Sequence, residues 1–134
     1  MHRRTFVLAT AALTATAALA ATAPARAATQ APFTQQAFAA ARDAGKPILI
    51  AVHASWCPVC AKQAPIINSL AQKPEYQNLT ILTVDFDSQK DVLKTFGVTK
   101  QSTLIALHGA AERGRAVGIT AQDEIQALFL KTKA

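Results

Sequence analysis

Two cysteines, the only ones in the chain, lie within four residues of each other, at Cys57 and Cys60. Pro58 directly follows the first cysteine. Proline suits the first position of a helix, because its φ is preset and its missing N–H needs no partner there. Pro65 falls farther along the same predicted helix, where proline removes a hydrogen bond and bends the axis. The pattern therefore predicts a bent helix that carries two thiols at its start.

Two thiols at the start of a helix are suited to redox chemistry. If Cys57 is the N-cap and Pro58 the first helical residue, the backbone N–H of Cys60 can point at the Cys57 sulfur. Unpaired N–H groups and the helix dipole favour negative charge there, and the thiolate is the species that attacks a disulfide. We therefore expect Cys57 to be the nucleophile at the exposed end and Cys60 to be the resolving thiol. A purely structural disulfide is the weaker interpretation, because so short a ring constrains the chain least.

The elements that must position these thiols alternate between helix and strand. The continuous apolar run Pro47 to His53 suits a central strand that is buried on both faces. Strands that alternate with helices imply parallel pairing and right-handed crossovers, and a closing hairpin adds an antiparallel edge. Thr120 is expected to open the last helix, with Asp123 completing a capping box. The predicted helices are at 34–44, from 57 to before 74, at 88–96 and from 120, and the predicted strands are at 47–53, 80–86, 103–107 and 115–119.

The opening segment, residues 1–27, is interpreted as a cleaved signal peptide. Arg3 and Arg4 form a positive start, a weakly apolar run follows, and residues 25–27, Ala-Arg-Ala, match a small-residue cleavage site. The paired arginines resemble a twin-arginine signal, and an ordinary secretory signal is the alternative. We therefore expect the protein in the periplasm, cleaved near Ala27.

Composition bounds what the remaining chain, residues 28–134, could do. Its length suits one domain with its own core. We expect the protein to be a monomer and to need no cofactor. Lysines and arginines are scattered, with no basic run interleaved with aromatic residues. Nucleic-acid binding therefore has little support.

Almost the whole of this domain is similar to the thioredoxin family. The motif at 56–60, Trp-Cys-Pro-Val-Cys, follows a buried strand and opens a helix, as the family's W-C-x-x-C does. Pro65 lies at the family's kink proline, and Gly97, Thr103 and Gly118 fall at family positions. The resemblance implies a thioredoxin fold, an α/β fold with a central mixed sheet of about four strands flanked by helices. It also implies a thiol–disulfide oxidoreductase of the bacterial cell envelope.

The resemblance further implies partners and a docking surface. Protein disulfides or dithiols are the expected substrates, and the flank HASWC resembles thioredoxin-like reductases more than DsbA oxidases. The reductase direction is therefore favoured, with a membrane thiol relay of the CcdA or DsbD type as electron donor. Trp56 is either a contact platform or a plain packing residue. The residues expected at the docking surface are Trp56, Pro58, Val59, Gln101, Ser102 and Thr103.

Two departures from the family concern proton handling. The family carries a buried aspartate six residues before the nucleophile, and its partner lysine farther on; here these positions are Ala51 and Thr83. Deprotonation of Cys60 then needs water or another group. Asp85 and His53 are the candidate modulators; the alternatives are a solvated strand-end residue for Asp85 and a hydrogen-bonded structural residue for His53.

A third departure is Ser102, which takes the place of the family's cis-proline. A cis bond is costly before any residue but proline, so we expect a trans peptide between Gln101 and Ser102. The Ser102 hydroxyl and N–H are expected to reach the Cys57 thiolate or a bound metal, and Ser102→Pro is expected to leave the domain folded. The alternative function is a copper, zinc or iron–sulfur binding protein that uses both thiols with His53 or with a second copy of the chain.

Overall fold

The computed structural model describes residues 20–23 and 26–133 of the chain. Most of the predicted signal peptide therefore lies outside the described residues. Ala28, the residue after the predicted cleavage point, is buried and donates its backbone N–H to the carbonyl oxygen of Ala71 at 2.8 Å. Within the described part of the chain, no helix has the length and apolar character needed to cross a membrane.

Strands and helices alternate along the described residues, as predicted. A short 3₁₀ turn joins the second helix to the third strand. The elements are β1 (Thr29–Pro32), α1 (Gln35–Asp43), β2 (Pro47–His53), α2 (Pro58–Ala71), the 3₁₀ turn Pro74–Tyr76, β3 (Thr80–Asp85), α3 (Lys90–Phe96), β4 (Thr103–His108), β5 (Ala111–Val117) and α4 (Gln122–Lys131).

The strands form one mixed sheet in the order β1-β3-β2-β4-β5. β3 runs parallel to both β1 and β2, whereas β4 runs antiparallel to β2 and to β5. The predicted mixed sheet is therefore confirmed, but it has five strands in the described residues rather than about four. The strand that sequence reasoning missed is β1, a four-residue edge strand that is mostly exposed and carries no apolar run.

The core lies on both faces of the sheet, and β2 contributes to each. Leu49 packs on the face covered by α2 and α4, together with Leu70 and Phe129. Ile50 packs on the opposite face, among residues of α1 and α3 such as Phe38. Burying one such side chain stabilises the fold by about 1.5–3 kcal/mol. The site at the end of β2 is thus held by a strand that is buried on both faces, as its sequence predicted.

The predicted boundaries differ most from the structure at the hairpin, and the predicted cap of the last helix also differs. β5 begins at Ala111, so the hairpin turn is shorter than expected, with Gly109 in the left-handed region at φ 58°. The N-cap of α4 is Ala121, without a side-chain hydrogen bond. The predicted capping box is therefore wrong, because Thr120 precedes the N-cap and the Asp123 carboxylate accepts the N–H of Glu124 instead.

Candidate active site

The start of α2 places the two thiols as the sequence predicted. Cys57 is the N-cap in an extended conformation, and Pro58 is the first helical residue. The backbone N–H of Cys60 donates to the Cys57 sulfur at 3.1 Å. Both cysteines are free thiols, so the structure is that of the reduced protein. This N–H is an orphan donor of the helix start, and it faces the Cys57 sulfur.

The two sulfurs have different surroundings. Cys60 Sγ lies 3.9 Å from the carbonyl oxygen of Val52. Burial, followed by the hydrogen bond to the Cys57 thiol, raises the pKa of the Cys60 thiol, while backbone groups of Ala54 and Ser102 oppose that shift. The thiol form of Cys60 is therefore favoured in the reduced protein.

Exposure does not distinguish the two cysteines. Cys57 and Cys60 are each only 2% exposed, and they form a small cluster with Ala54 that Val59 and Phe86 cover in part. The expectation that Cys57 lies at an exposed end is therefore wrong. The difference between the two thiols comes from their hydrogen bonds and desolvation.

Trp56 is held at the surface beside the thiols. Its side chain is 56% exposed, its indole N–H donates to the Asp87 carboxylate at 2.8 Å, and its ring meets Phe86 edge to face at 6.3 Å between centroids. An exposed indole fixed by two contacts suits a contact platform better than plain packing. Pro58 is exposed and Val59 half-buried next to it.

Asp85 stabilises the turn that follows β3. Its carboxylate accepts the backbone N–H groups of Asp87 at 2.8 Å and Ser88 at 3.0 Å. These bonds, that of Ser88 first, lower the pKa of Asp85 below its ordinary value. Asp85 thus closes the turn after β3, and the same turn presents Asp87 to Trp56. This agrees with the interpretation of Asp85 as a solvated strand-end residue and gives it a structural role.

The polar groups of the loop at 101–103 donate hydrogen bonds to neighbouring backbone carbonyl oxygens. Ser102 has φ 58°, and the described residues contain no cis peptide bond, as expected for a serine at this position. Its N–H donates to the carbonyl oxygen of Val52 at 2.9 Å, and its hydroxyl to that of Gln101 at 2.6 Å. The two donors expected to reach Cys57 are therefore engaged by carbonyl oxygens, and the Ser102 backbone instead affects Cys60. Thr103 is 1% exposed and its hydroxyl donates to Lys100, so it lies beneath the docking surface.

Gln63 is the site residue that sequence reasoning missed. It is buried on α2, and its amide nitrogen donates to the carbonyl oxygens of Ser102 at 3.2 Å and Ile119 at 2.9 Å. It therefore ties the cysteine helix to the loops opposite. The available signal was its position, three residues after Cys60, which puts both side chains on one face of the helix.

His53, the last residue of β2, is half-buried and lines a cleft that reaches Cys60. The cleft is also lined by Ala51 and Thr83, the two positions that depart from the family pattern. Within the described residues, no group of three or more His, Cys, Asp or Glu side chains is arranged to hold a metal ion.

A vicinal cysteine pair at the start of a helix, after the central strand of a mixed sheet, defines the class of thiol–disulfide oxidoreductases. The sequence model of the family described as Thioredoxin matches residues 29–131. The chain belongs to the thioredoxin family and is a thiol–disulfide oxidoreductase, and protein disulfides are the substrates that this family implies.

Individual relatives agree with this assignment. Thioredoxin H4 from Arabidopsis thaliana is 35% identical over 91 residues, which cover 68% of this chain and 75% of that protein. A thioredoxin from Chlamydia muridarum is 32% identical over 84 residues, covering 63% and 80% of the two chains. Among solved structures, Trxlp from Edwardsiella tarda EIB202 superimposes with a TM-score of 0.74 at 35% identity, covering 75% of this chain and 98% of that one.

Proposed function

We propose that the protein is an exported thiol–disulfide oxidoreductase that reduces protein disulfides, with Cys57 as nucleophile and Cys60 as resolving thiol. The observation that carries these roles is the 3.1 Å hydrogen bond from the Cys60 N–H to the Cys57 sulfur at the helix start. This bond and the helix dipole stabilise a thiolate on Cys57, whereas Cys60 is held as a thiol until it is needed.

The reaction proceeds in two exchanges. The Cys57 thiolate attacks one sulfur of the partner's disulfide, that S–S bond breaks, and the other partner sulfur leaves as a thiolate. Cys60 then loses its proton and attacks Cys57 Sγ, and the second partner sulfur leaves. The partner gains two electrons and ends with two thiols, while the cysteine pair is oxidised to a disulfide.

The docking surface consists of Trp56, Pro58, Val59 and Gln101, whereas Ser102 is buried beneath it. Trp56 and Pro58 are exposed beside the nucleophile, so they offer apolar contact to a polypeptide. Because the Ser102 hydroxyl holds the carbonyl oxygen of Gln101, backbone pairing with an incoming peptide through that oxygen is weakened. The surface therefore binds partners through side-chain contacts around Trp56.

The location and direction rest on the sequence. The Arg3–Arg4 signal directs export to the periplasm, and cleavage after Ala27 leaves a chain that starts at Ala28, the residue whose N–H binds Ala71. The periplasm supplies no thiol reductant of its own, so a membrane thiol relay of the CcdA or DsbD type reduces the Cys57–Cys60 disulfide again. The working form is a monomer, since one chain supplies both thiols.

Two measurements test this function. The reduction potential of the Cys57–Cys60 couple should lie nearer the roughly −270 mV of a reductase such as thioredoxin than the roughly −120 mV of the oxidase DsbA. A value close to the latter would reverse the direction. For the roles, Cys60→Ser should accumulate mixed disulfides through Cys57, while Cys57→Ser should form none. If Cys57→Ser accumulated mixed disulfides instead, the roles of nucleophile and resolving thiol would be reversed.

A further inference from the structure

A cleft of about 70 Å³ lies between the sheet and α2 and ends at the Cys60 thiol. Three of its lining residues, Gln30, Asn68 and Thr83, are exposed to solvent. The small side chain of Ala51 contributes to its wall. Because a water molecule occupies about 30 Å³ in the liquid, the cleft has room for about two waters between solvent and Cys60.

Cys60 needs a proton acceptor before it can attack. Its sulfur is buried beside the carbonyl oxygen of Val52, a neutral amide oxygen that does not take a proton near neutral pH. Among the residues lining the cleft, His53 is the one side chain besides Cys60 that can gain or lose a proton, and imidazole does so in the physiological range.

The charges around His53 suit this task. The titratable groups that face it from the packed elements are the Cys60 thiol from α2 and the Asp85 carboxylate from β3, while β1 contributes the uncharged Gln30. Asp85 pairs with His53 in the parallel β2–β3 register, and the two interact electrostatically. A carboxylate at this position stabilises the imidazolium that forms when His53 takes a proton.

Resting on the function proposed above, we propose that His53 accepts the proton of Cys60 through water in this cleft. The Cys60 S–H proton passes to a cleft water, which gives one of its own protons to the neutral His53 ring. The Cys60 thiolate then attacks Cys57 Sγ, the mixed disulfide breaks, and the partner sulfur leaves as a thiolate that is protonated by solvent. The imidazolium afterwards releases its proton to solvent. His53 thus acts on the second exchange and not on the first.

Stopped-flow reaction of the reduced protein with 5,5′-dithiobis(2-nitrobenzoate) separates the two exchanges. The first release of nitrothiobenzoate is second order and reports attack by Cys57, while the second is first order and reports attack by Cys60. His53→Gln should slow the second phase about tenfold or more near pH 7, in keeping with general base catalysis acting through water. The first phase should keep its rate and pH profile.

Three further variants complete the test. His108→Gln, at a histidine bonded to Thr132 and absent from the cleft lining, should leave both phases unchanged. Ala51→Leu should slow the second phase by filling the cleft. Asp85→Asn keeps an oxygen for the turn but removes the charge that stabilises the imidazolium, so its second phase should be slower than that of the wild type. This variant tests the proposal even if His53→Gln does not fold.

The outcomes are distinguishable. A second phase in His53→Gln that matches the wild type across the pH range overturns the role of His53, as does a second phase of unchanged rate in Asp85→Asn. Slowing of the second phase by His108→Gln to the same extent would also overturn it. Failure of the wild-type protein to release a second equivalent would instead refute the proposed exchange function itself.

Discussion

At the scale of single residues, Cys57 Sγ accepts the N–H of Cys60 at 3.1 Å, whereas Cys60 Sγ lies 3.9 Å from a carbonyl oxygen. Both side chains are only 2% exposed, so access to solvent does not decide which thiol reacts first. Burial, followed by the hydrogen bond to the Cys57 thiol, raises the pKa of the Cys60 thiol, so the thiol form of Cys60 is favoured.

Brief alkylation with iodoacetamide at mildly acidic pH should therefore label Cys57 before Cys60, because the raised pKa of the Cys60 thiol keeps that side chain protonated. Mass mapping of the labelled peptides measures the ratio. In Cys57→Ser, Cys60 should stay slow to react. Predominant labelling of Cys60 in the wild-type protein would contradict the roles given to the two thiols.

Ser102 makes a second prediction at this scale. Its φ of 58° lies in the left-handed region, and its N–H is bonded to Val52. Proline has φ near −65° and no N–H, so Ser102→Pro should lower the free energy of unfolding by about 3 kcal/mol or more, unless the loop rearranges. The sequence alone predicts that this variant stays folded, and the measured free energy of unfolding tests that expectation.

Urea unfolding of matched variants checks this prediction. Ser102→Ala keeps the N–H and loses only the hydroxyl bond to Gln101, so it should cost about 1 kcal/mol. Ser102→Gly should be close to neutral, because relief of the left-handed strain offsets the lost bond and the greater freedom of the unfolded chain. Equal stability of Ser102→Pro and wild type would show that the proline loop adopts a different backbone.

At the scale of elements, the turn after β3 links Asp85 to Trp56 through Asp87. The pKa of Asp85 is lowered in the folded protein, so its contribution to stability is present above the unfolded pKa of an aspartate and is lost as pH falls through the lower folded value. The stability difference between wild type and Asp85→Asn should thus be largest near neutral pH and should disappear in acid.

Denaturant unfolding from pH 7 downwards measures that difference, and the fluorescence of Trp56, the only tryptophan, reports the local environment. Asp87→Asn should perturb the fluorescence while leaving the acid dependence of stability in place, because the Asp85 bonds are to backbone N–H groups. A stability difference that is independent of pH would show that Asp85 does not hold the turn as a carboxylate.

The helices and strands that were predicted correctly are those whose ends or interiors carry a local sequence signal, such as a proline, a glycine or an apolar run. Proline at the first position fixed the start of α2, and Gly97, with φ 64°, closes α3 as expected. β1 carries no such signal, because it is short, exposed and defined by pairing with β3. The prediction of a capping box was wrong because the Asp123 carboxylate accepts the backbone N–H of the following residue, Glu124.

The same distinction applies to the site. The cysteine pair and its hydrogen bond follow from residues three apart, whereas the bonds from Trp56 to Asp87 and from Gln63 to Ile119 span 31 and 56 residues. Such contacts depend on how the sheet places its loops, which no local pattern contains. The burial of Cys57 was missed for the same reason.

At the scale of the whole molecule, the site lies where separate parts of the chain meet at one end of the sheet. The Ser102 carbonyl accepts the N–H of Gly118 at 3.0 Å as well as the Gln63 amide, so the 101–102 loop, the end of β5 and α2 are bonded together. This network rests on elements packed on both faces of β2. Chemistry at Cys57 therefore depends on the fold as a unit.

The proposed export leads to a prediction about the entire chain. Arg3 and Arg4 form the positive start of the segment at 1–27, and a twin-arginine route requires both side chains. Replacing both with lysine should retain the precursor in the cytoplasm, as seen by fractionation and immunoblotting. The wild-type protein should be periplasmic, with Ala28 at or near its N-terminus by terminal sequencing.

The double variant Arg3→Lys, Arg4→Lys tests the route because it keeps the positive charge. That charge is enough for a general secretory signal to function. Normal export of that variant would leave the general secretory route, and a wild-type protein with an intact residue 1–27 segment would refute export with cleavage. The position of the cut matters for the fold, because Ala28 is buried and its N–H binds Ala71. Cleavage several residues farther into the chain would remove β1 from the edge of the sheet, and Gln30 with it from the lining of the cleft beside His53.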